Sequence, residues 1–235
     1  MTDTPSHRVV LARHDARTRV RRDSVFFGSM AALLASVVFA GFAPTFYMRS
    51  QLGTLPPLAP LFILHGALFS AWMLFILMQV GLVTASALRW HARLGRAGAV
   101  LAVLMTATGI AAQIEHTRAV VMDGTYGKNT LIEDLGLSLS FLDVGVFMAF
   151  VAVGIWFRQH AEQHKRLMLL ATLAVVGPAV VRLPGITALP PPMVVMSPVV
   201  FVIPLVVYDF LTQRRASSVS LWGVAVMAGY HILAM

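Results

Sequence analysis

Long apolar stretches alternate with short polar gaps along the whole of this chain. A bilayer-spanning helix needs about 20 mostly apolar residues. At that length the pattern predicts seven spans, near 25–48, 59–87, 96–116, 136–157, 166–184, 194–212 and 219–235. The expected fold is all-α, an integral membrane bundle of about seven transmembrane helices. Residues 1–24 read as a basic arm, mobile or lying on a surface, and 25–235 as one transmembrane domain.

The polar gaps set the orientation. Arg8, Arg13, Arg17, Arg19, Arg21 and Arg22 precede the first span. Arg89, Arg93 and Arg96 lie between the second and third spans, and Arg158, Lys165 and Arg166 between the fourth and fifth. Arg214 and Arg215 separate the sixth from the seventh. The opposite gaps hold only Arg49, Arg118, Lys128 and Arg182. Cytoplasmic loops are the ones enriched in Lys and Arg, so this bias predicts a cytoplasmic N-terminus and an outer C-terminus. A bacterial inner membrane is the expected location.

Two outer gaps have turn chemistry. One carries Asp123-Gly124, Tyr126-Gly127 and Glu133-Asp134; the other ends in Pro190-Pro191-Pro192. Pro178 and Pro204 fall inside spans five and six. Each removes a backbone donor and is expected to kink its helix.

Composition then narrows the function classes. Hydrophobic residues make up 58% of the 235 residues and charged residues only 12%. The formal net charge of +8 is accounted for by the cytoplasmic gaps, so nucleic acid is not an expected partner. The basic arm is suited to anionic lipid head groups instead. With no Cys there are no disulfides, thiolate nucleophiles or iron–sulfur clusters. Both lysines, Lys128 and Lys165, lie in gaps, which excludes a retinal Schiff base of the usual kind. No phosphate-binding Gly loop, His-Glu-x-x-His zinc motif, Gly-x-Ser-x-Gly motif or repeated Arg of a voltage sensor occurs within a span.

What remains are ionisable groups at membrane depth. Each costs roughly 2.5–3.5 kcal/mol to insert and so asks for a function. His65, Trp72 and Gln79 recur at seven-residue steps on span two, which places them on one helix face. Such a polar stripe faces the protein interior, with Gln79 hydrogen-bonding a neighbouring helix and Trp72 packing against one. His65, Asp143 of span four and His231 of span seven fall at similar depth in the outer half. A layer of that kind suits a metal ion, a haem ligand set or a proton relay. An Asp–His hydrogen bond alone is the plainer alternative.

The cytoplasmic side gathers His91, His160 and His164 with Arg93, Arg158 and Arg166. Bis-imidazole haem ligation needs two His on separate helices at one depth, which His91 and His164 offer. Arg93 and Arg166 are candidates for the haem propionates. Interfacial histidines beside snorkelling arginines would look the same in sequence. His91-Ala-Arg93-Leu94 and His164-Lys-Arg166-Leu167 are 73 residues apart, as are Gly81 and Gly154. The echo suggests two parallel helix pairs, spans two–three and four–five.

Asp209 and Arg182 are secondary candidates. Asp209 sits near the inner end of span six and is expected to pair with Arg214 or another basic residue there. Arg182 is expected to pair with an acidic outer-loop residue or with Asp143.

The run His65-Gly66…Trp72…Gln79…His91-Ala-Arg-Leu-Gly95, with His164-Lys-Arg-Leu-Met168…Pro178…Arg182, resembles uncharacterised polytopic bacterial membrane proteins. Those share a His…Trp…Gln…His-x-x-Leu-Gly pattern, and the resemblance covers about 59–184. More loosely, the chain resembles cytochrome b561-type haem proteins. That resemblance implies His91 and His164 as the third–fifth helix ligand pair. The chain departs from it at the second–fourth pair, where span four offers Asp143 and no His.

Three functions follow as expectations. The leading one is a haem b electron-transfer protein, with a quinone or other redox partner. The second is a proton-coupled transporter or channel using the outer His/Asp layer. The third is a scaffold or accessory subunit of a homo-oligomer or larger membrane complex, packed through Gly41, Ala71, Gly145, Gly154 and Gly177.

Overall fold

The computed structural model describes the backbone of residues 5–53, 55–122, 124 and 131–233. It describes the side chains of 18–53, 55–122, 124 and 139–233. Arg8, Arg13, Arg17, Asp123, Tyr126, Lys128, Glu133 and Asp134 therefore lie outside the described side chains. All regular structure among the described residues is helical, with no strand. Five helices are long and apolar enough to cross a membrane: Thr18–Tyr47, Pro60–Thr84, Leu88–Met122, Leu139–Trp156 and Pro191–Gln213.

Helix α1 (Pro5–Phe42) runs unbroken through the segment expected to be a separate arm. Arg and Ala are good helix formers, and the Arg-rich stretch contains no Gly or Pro after Pro5 to stop it. The helix closes in a π-type turn at Ala43–Tyr47, where Met48 N–H reaches the Ala43 carbonyl at 2.8 Å. One face of α1, with Phe27, Met30, Ala31, Leu34, Ala35 and Val38 at three- and four-residue steps, enters the core.

After a short α2 (Arg49–Leu52), two hairpins follow. Helix α3 (Pro60–Thr84) begins on Pro60, whose fixed φ and missing N–H suit a first turn. It turns at Ala85–Ala87, with Ser86 at φ 58, into α4 (Leu88–Met122). Helix α5 (Leu131–Trp156) turns at residues 157–160 into α6 (Ala161–Ala174). The two hairpins pack side by side, with α4 against α5, and α1 lies across α3 and α6.

The fifth predicted span is broken. Helix α6 ends at Ala174, and α7 (Gly177–Val180) is a separate single turn. Pro178 explains the position. It has no N–H for the Ala174 carbonyl four residues back, and its ring clashes there. Val175 and Val176 N–H groups bond three residues back instead, to Thr172 at 3.3 Å and Leu173 at 3.2 Å. Broken or not, this segment is central: residues 169–177 are all buried.

The sixth span keeps its helical course past two prolines. Helix α8 (Pro191–Met196) passes through a 3₁₀ stretch, Ser197–Val202, into α9 (Ile203–Gln213). Pro191 and Pro192 form the first turn of α8 instead of the preceding gap, with Pro190 as its cap. Pro198 leaves the Val194 carbonyl without its helical donor, and the Ser197 hydroxyl donates to it at 2.7 Å. Pro204 would likewise orphan the Val200 carbonyl, which accepts from the Ile203 N–H.

Helix α10 (Ser218–Leu233) is 16 residues long, short for a full crossing. It buries Ser220, Gly223, Met227 and Tyr230 along one face. Gly223 admits Leu170: a Cβ there would lie 2.5 Å from both Leu170 methyl carbons. Gly41 of α1 sits closer still to α7, since a Cβ would meet the Ala179 carbonyl oxygen at 2.2 Å. Gly145, by contrast, faces open space.

Candidate functional site

Polar groups collect in two places: at the end of the bundle where the basic gaps lie, and in the interior near the α6–α7 break. The basic end is organised by the first turn of α6. Three consecutive side chains there, His164, Lys165 and Arg166, reach three different sets of helices.

Arg166 reaches α9. It is 1% exposed, and Asp209 is 0% exposed. Arg166 Nε and Nη2 both donate to Asp209 Oδ1, at 3.1 and 2.5 Å. Asp209 Oδ2 accepts from the Ser217 N–H at 3.1 Å and from the Ser220 hydroxyl at 2.5 Å. All four acceptor directions of the carboxylate are thus filled by donors. Arg166 Nη1 donates to the Glu162 carboxylate and carbonyl, both at 2.7 Å. A buried charge is tolerated only when its partners are this complete. Arg166 is the basic-layer partner that Asp209 was expected to find, and Arg214 is not used.

Lys165 reaches α1. Its ammonium donates to Asp23 Oδ2 at 2.6 Å and to Glu162 Oε1 at 2.8 Å. Asp23 Oδ1 also accepts from the Tyr208 hydroxyl. Arg19 adds a pair to Glu162 at 3.2 Å, exposed enough to contribute little. Burial pushes the Glu162 carboxyl up, but hydrogen bonds from Lys165 and Arg166 and the charges of Lys165 and Arg19 outweigh it and hold it below its ordinary value. Asp23, Glu162 and Tyr208 were not foreseen as partners. The one available signal was an acidic residue, Asp23, directly after Arg21 and Arg22.

His164 reaches the α3–α4 hairpin. Its Nδ1 is 2.8 Å from the Gly154 carbonyl of α5. Its ring meets His91 edge-on, with centroids 6.1 Å apart and planes at 84°. The His91 ring lies against the Gln79 backbone, and its Nδ1 is buried without a well-formed hydrogen bond. His91 and His164 are each the fourth residue of the second helix of their hairpin. The sequence echo thus falls on equivalent positions in the two hairpins. The two arginines expected beside them do other things: Arg166 is committed to Asp209 and Glu162, while Arg93 is exposed with its guanidinium 5.5 Å from the Trp90 ring centre.

Trp72 and Gln79 both face the interior, at 0% and 7% exposure. Trp72 Nε1 donates to Thr172 Oγ1 of α6 at 3.2 Å, and the indole packs edge-on against Phe147. Neither end of the Gln79 amide has a hydrogen-bond partner among the described residues.

In the interior, Asp143 is buried and accepts a hydrogen bond from the Tyr230 hydroxyl at 2.6 Å. Its other oxygen lies 3.4 Å from where a Cβ on Gly177 would be. His231, next to Tyr230, turns back on its own helix with Nδ1 2.7 Å from the Met227 carbonyl. His65 packs against the tilted Phe69 ring and lies beside Gly109 of α4. Helix α5 explains the separation: Asp143 turns towards α7 and α10, while Val144 beside it meets Gly109. Among the described residues, no group of three or more His, Asp or Glu side chains is gathered to hold a metal ion. Arg182 donates to the Pro178 carbonyl at 2.5 Å and lies over the Phe42 ring at 4.8 Å, away from any described carboxylate.

Comparison with protein-family models, with curated proteins and with solved structures finds no match for this chain. The functional reading rests on the chain's own geometry.

Proposed function

We propose that this chain is a multi-pass protein of a bacterial inner membrane, with seven crossings and a cytoplasmic N-terminus, that carries electrons through a haem b held by His91 and His164. The observation that carries this reading is the meeting of two imidazoles from separate hairpins. With ring centres 6.1 Å apart, His91 and His164 would hold the haem iron as paired imidazole ligands. The turning of the His164 Nδ1 to a backbone carbonyl supports that role. A ligating histidine is usually oriented by such a bond at its other nitrogen. The exposed Arg89, Arg93 and Arg96 on the first turns of α4 would hold the propionates, since Arg166 is occupied. The haem itself would supply one-electron chemistry, with a quinone or other redox protein as partner. Orientation and span number are supported by the alternation of basic gaps along the sequence.

The test is the absorption spectrum of protein purified from haem-replete cells. A Soret band in wild type, lost in the His91→Ala/His164→Ala variant at unchanged yield, is expected. Colourless wild-type protein overturns the proposal.

A second reading is favoured by one observation, the buried Asp143–Tyr230 pair against Gly177 at a helix break. Carboxylates beside broken membrane helices serve proton or ion coupling in transporters. Proton-coupled uptake in proteoliposomes that is abolished by Asp143→Asn is its expected result, and uptake that survives the substitution defeats it.

A further inference from the structure

The carboxylates at the basic end are claimed unevenly. Asp23, Glu162 and Asp209 are bonded to Lys165, Arg19 and Arg166. Arg21 and Arg22, on the same stretch of α1, have no carboxylate among the described residues. Arg22 instead lies beside the Tyr208 hydroxyl, which donates to Asp23. Both arginines line a shallow, open groove of about 520 Å³ along α1, together with Val25, Phe26 and Ser29, edged by Tyr208 of α9. The Phe26 and Tyr208 rings stack at 3.9 Å and 10° to form an apolar wall.

The groove is graded along α1. Its guanidinium groups come first, and its apolar lining begins one turn further into the membrane-capable helix, which starts at Thr18. From Thr18 to Ser29 the helix rises about 16 Å. That length accommodates a head group followed by the upper part of an acyl chain.

We infer that this groove is a binding site for one anionic glycerophospholipid, its phosphate forked by Arg21 and Arg22 and one acyl chain lying along Val25 and Phe26. The chemistry matches at both ends. Guanidinium groups bind phosphate oxygens in pairs, and basic pockets between membrane helices select anionic head groups. Near an anionic surface each arginine contributes about fivefold in affinity, so the pair favours an anionic over a zwitterionic lipid by up to about thirtyfold.

The experiment uses the full chain in nanodiscs of phosphatidylcholine, with or without phosphatidylglycerol, and counts co-purifying lipid by native mass spectrometry. Wild type is expected to retain one phosphatidylglycerol and to unfold at a higher temperature when that lipid is present. Arg21→Gln, which alters an exposed side chain, is expected to lose about fivefold of the preference. Arg21→Gln/Arg22→Gln is expected to lose nearly all of it while unfolding normally in phosphatidylcholine. Arg215→Gln, at the same end but outside the groove, keeps the preference. Equal retention of both lipids, or an unchanged preference in the double variant, overturns the inference. So does inorganic phosphate alone reproducing the thermal shift, because the site would then serve a soluble anion.

Discussion

Replacing Asp209 by Asn changes no more than one oxygen into an amide nitrogen, yet it disables the most buried ion pair among the described residues. The carboxylate accepts from Arg166 twice on one oxygen, and from the Ser217 N–H and the Ser220 hydroxyl on the other. Every neighbour is a donor. An amide turned either way presents its NH₂ to two of them. Either way the guanidinium, at 1% exposure, keeps only Glu162 as counter-charge, and an NH₂ facing Arg166 meets its donors head-on. If it faces α10, Ser217 and Ser220 lose their acceptor. Removing one partner of a buried pair costs about 3–5 kcal/mol, because the remaining charge stays buried. A neutral hydrogen bond between membrane helices averages only about 0.6 kcal/mol, so the size of the loss separates the two descriptions. The assay is reversible unfolding in mixed detergent micelles, with Arg166→Met and Arg166→Met/Asp209→Asn completing a double-mutant cycle. Asp209→Asn is expected to lose about 3–5 kcal/mol, and the double variant less than the two single losses combined. A loss under about 1 kcal/mol for Asp209→Asn, or strict additivity, refutes the argument.

Gly41→Ala is expected to cost about 3 kcal/mol in the same assay, since its Cβ would stand 2.2 Å from a backbone oxygen that no rotamer change can move. Gly145→Ala, into open space, should instead be neutral or stabilising by up to about 1 kcal/mol. Glu162 gives a pH signature. Its folded-state value lies below the ordinary 4.5, so its stabilisation is present above that value and lost as pH falls through the folded one. Unfolding temperature measured from pH 7 down to pH 3 should therefore show a shallower acid limb in Glu162→Gln than in wild type. Tyr230→Phe leaves Asp143 without its donor and should cost about 1–3 kcal/mol, whereas Tyr47→Phe, at a half-exposed hydroxyl, should cost under about 0.5.

The helices were legible because lipid-length apolar runs and Pro or Gly boundaries leave strong one-dimensional signals. Pro178 announced the break in the fifth segment, though the burial of that segment is a property of its neighbours. The continuity of α1 was not legible. An Arg-rich stretch reads as solvated, and what anchors this one is Asp23 meeting Lys165, a contact 142 residues long in sequence. Depth along a helix was readable from rise per residue, which brought His91 level with His164. Azimuth was not. One residue turns a helix by about 100°, and that is the difference between Asp143 meeting Tyr230, as it does, and meeting His231. The same limit hid the true partners of Arg166, because a guanidinium beside histidines in sequence need not face them in space.

Arg166 leaves the ribosome 43 residues ahead of Asp209. At roughly 5–20 residues per second, this positive charge waits about two to nine seconds before its acceptor exists. Leu170 waits longer, since Gly223 of α10, which admits it, is made later still. A nascent chain stopped before α9 would therefore lack both the acceptor of Arg166 and the notch for Leu170, so the last two helices complete the core as well as extend it.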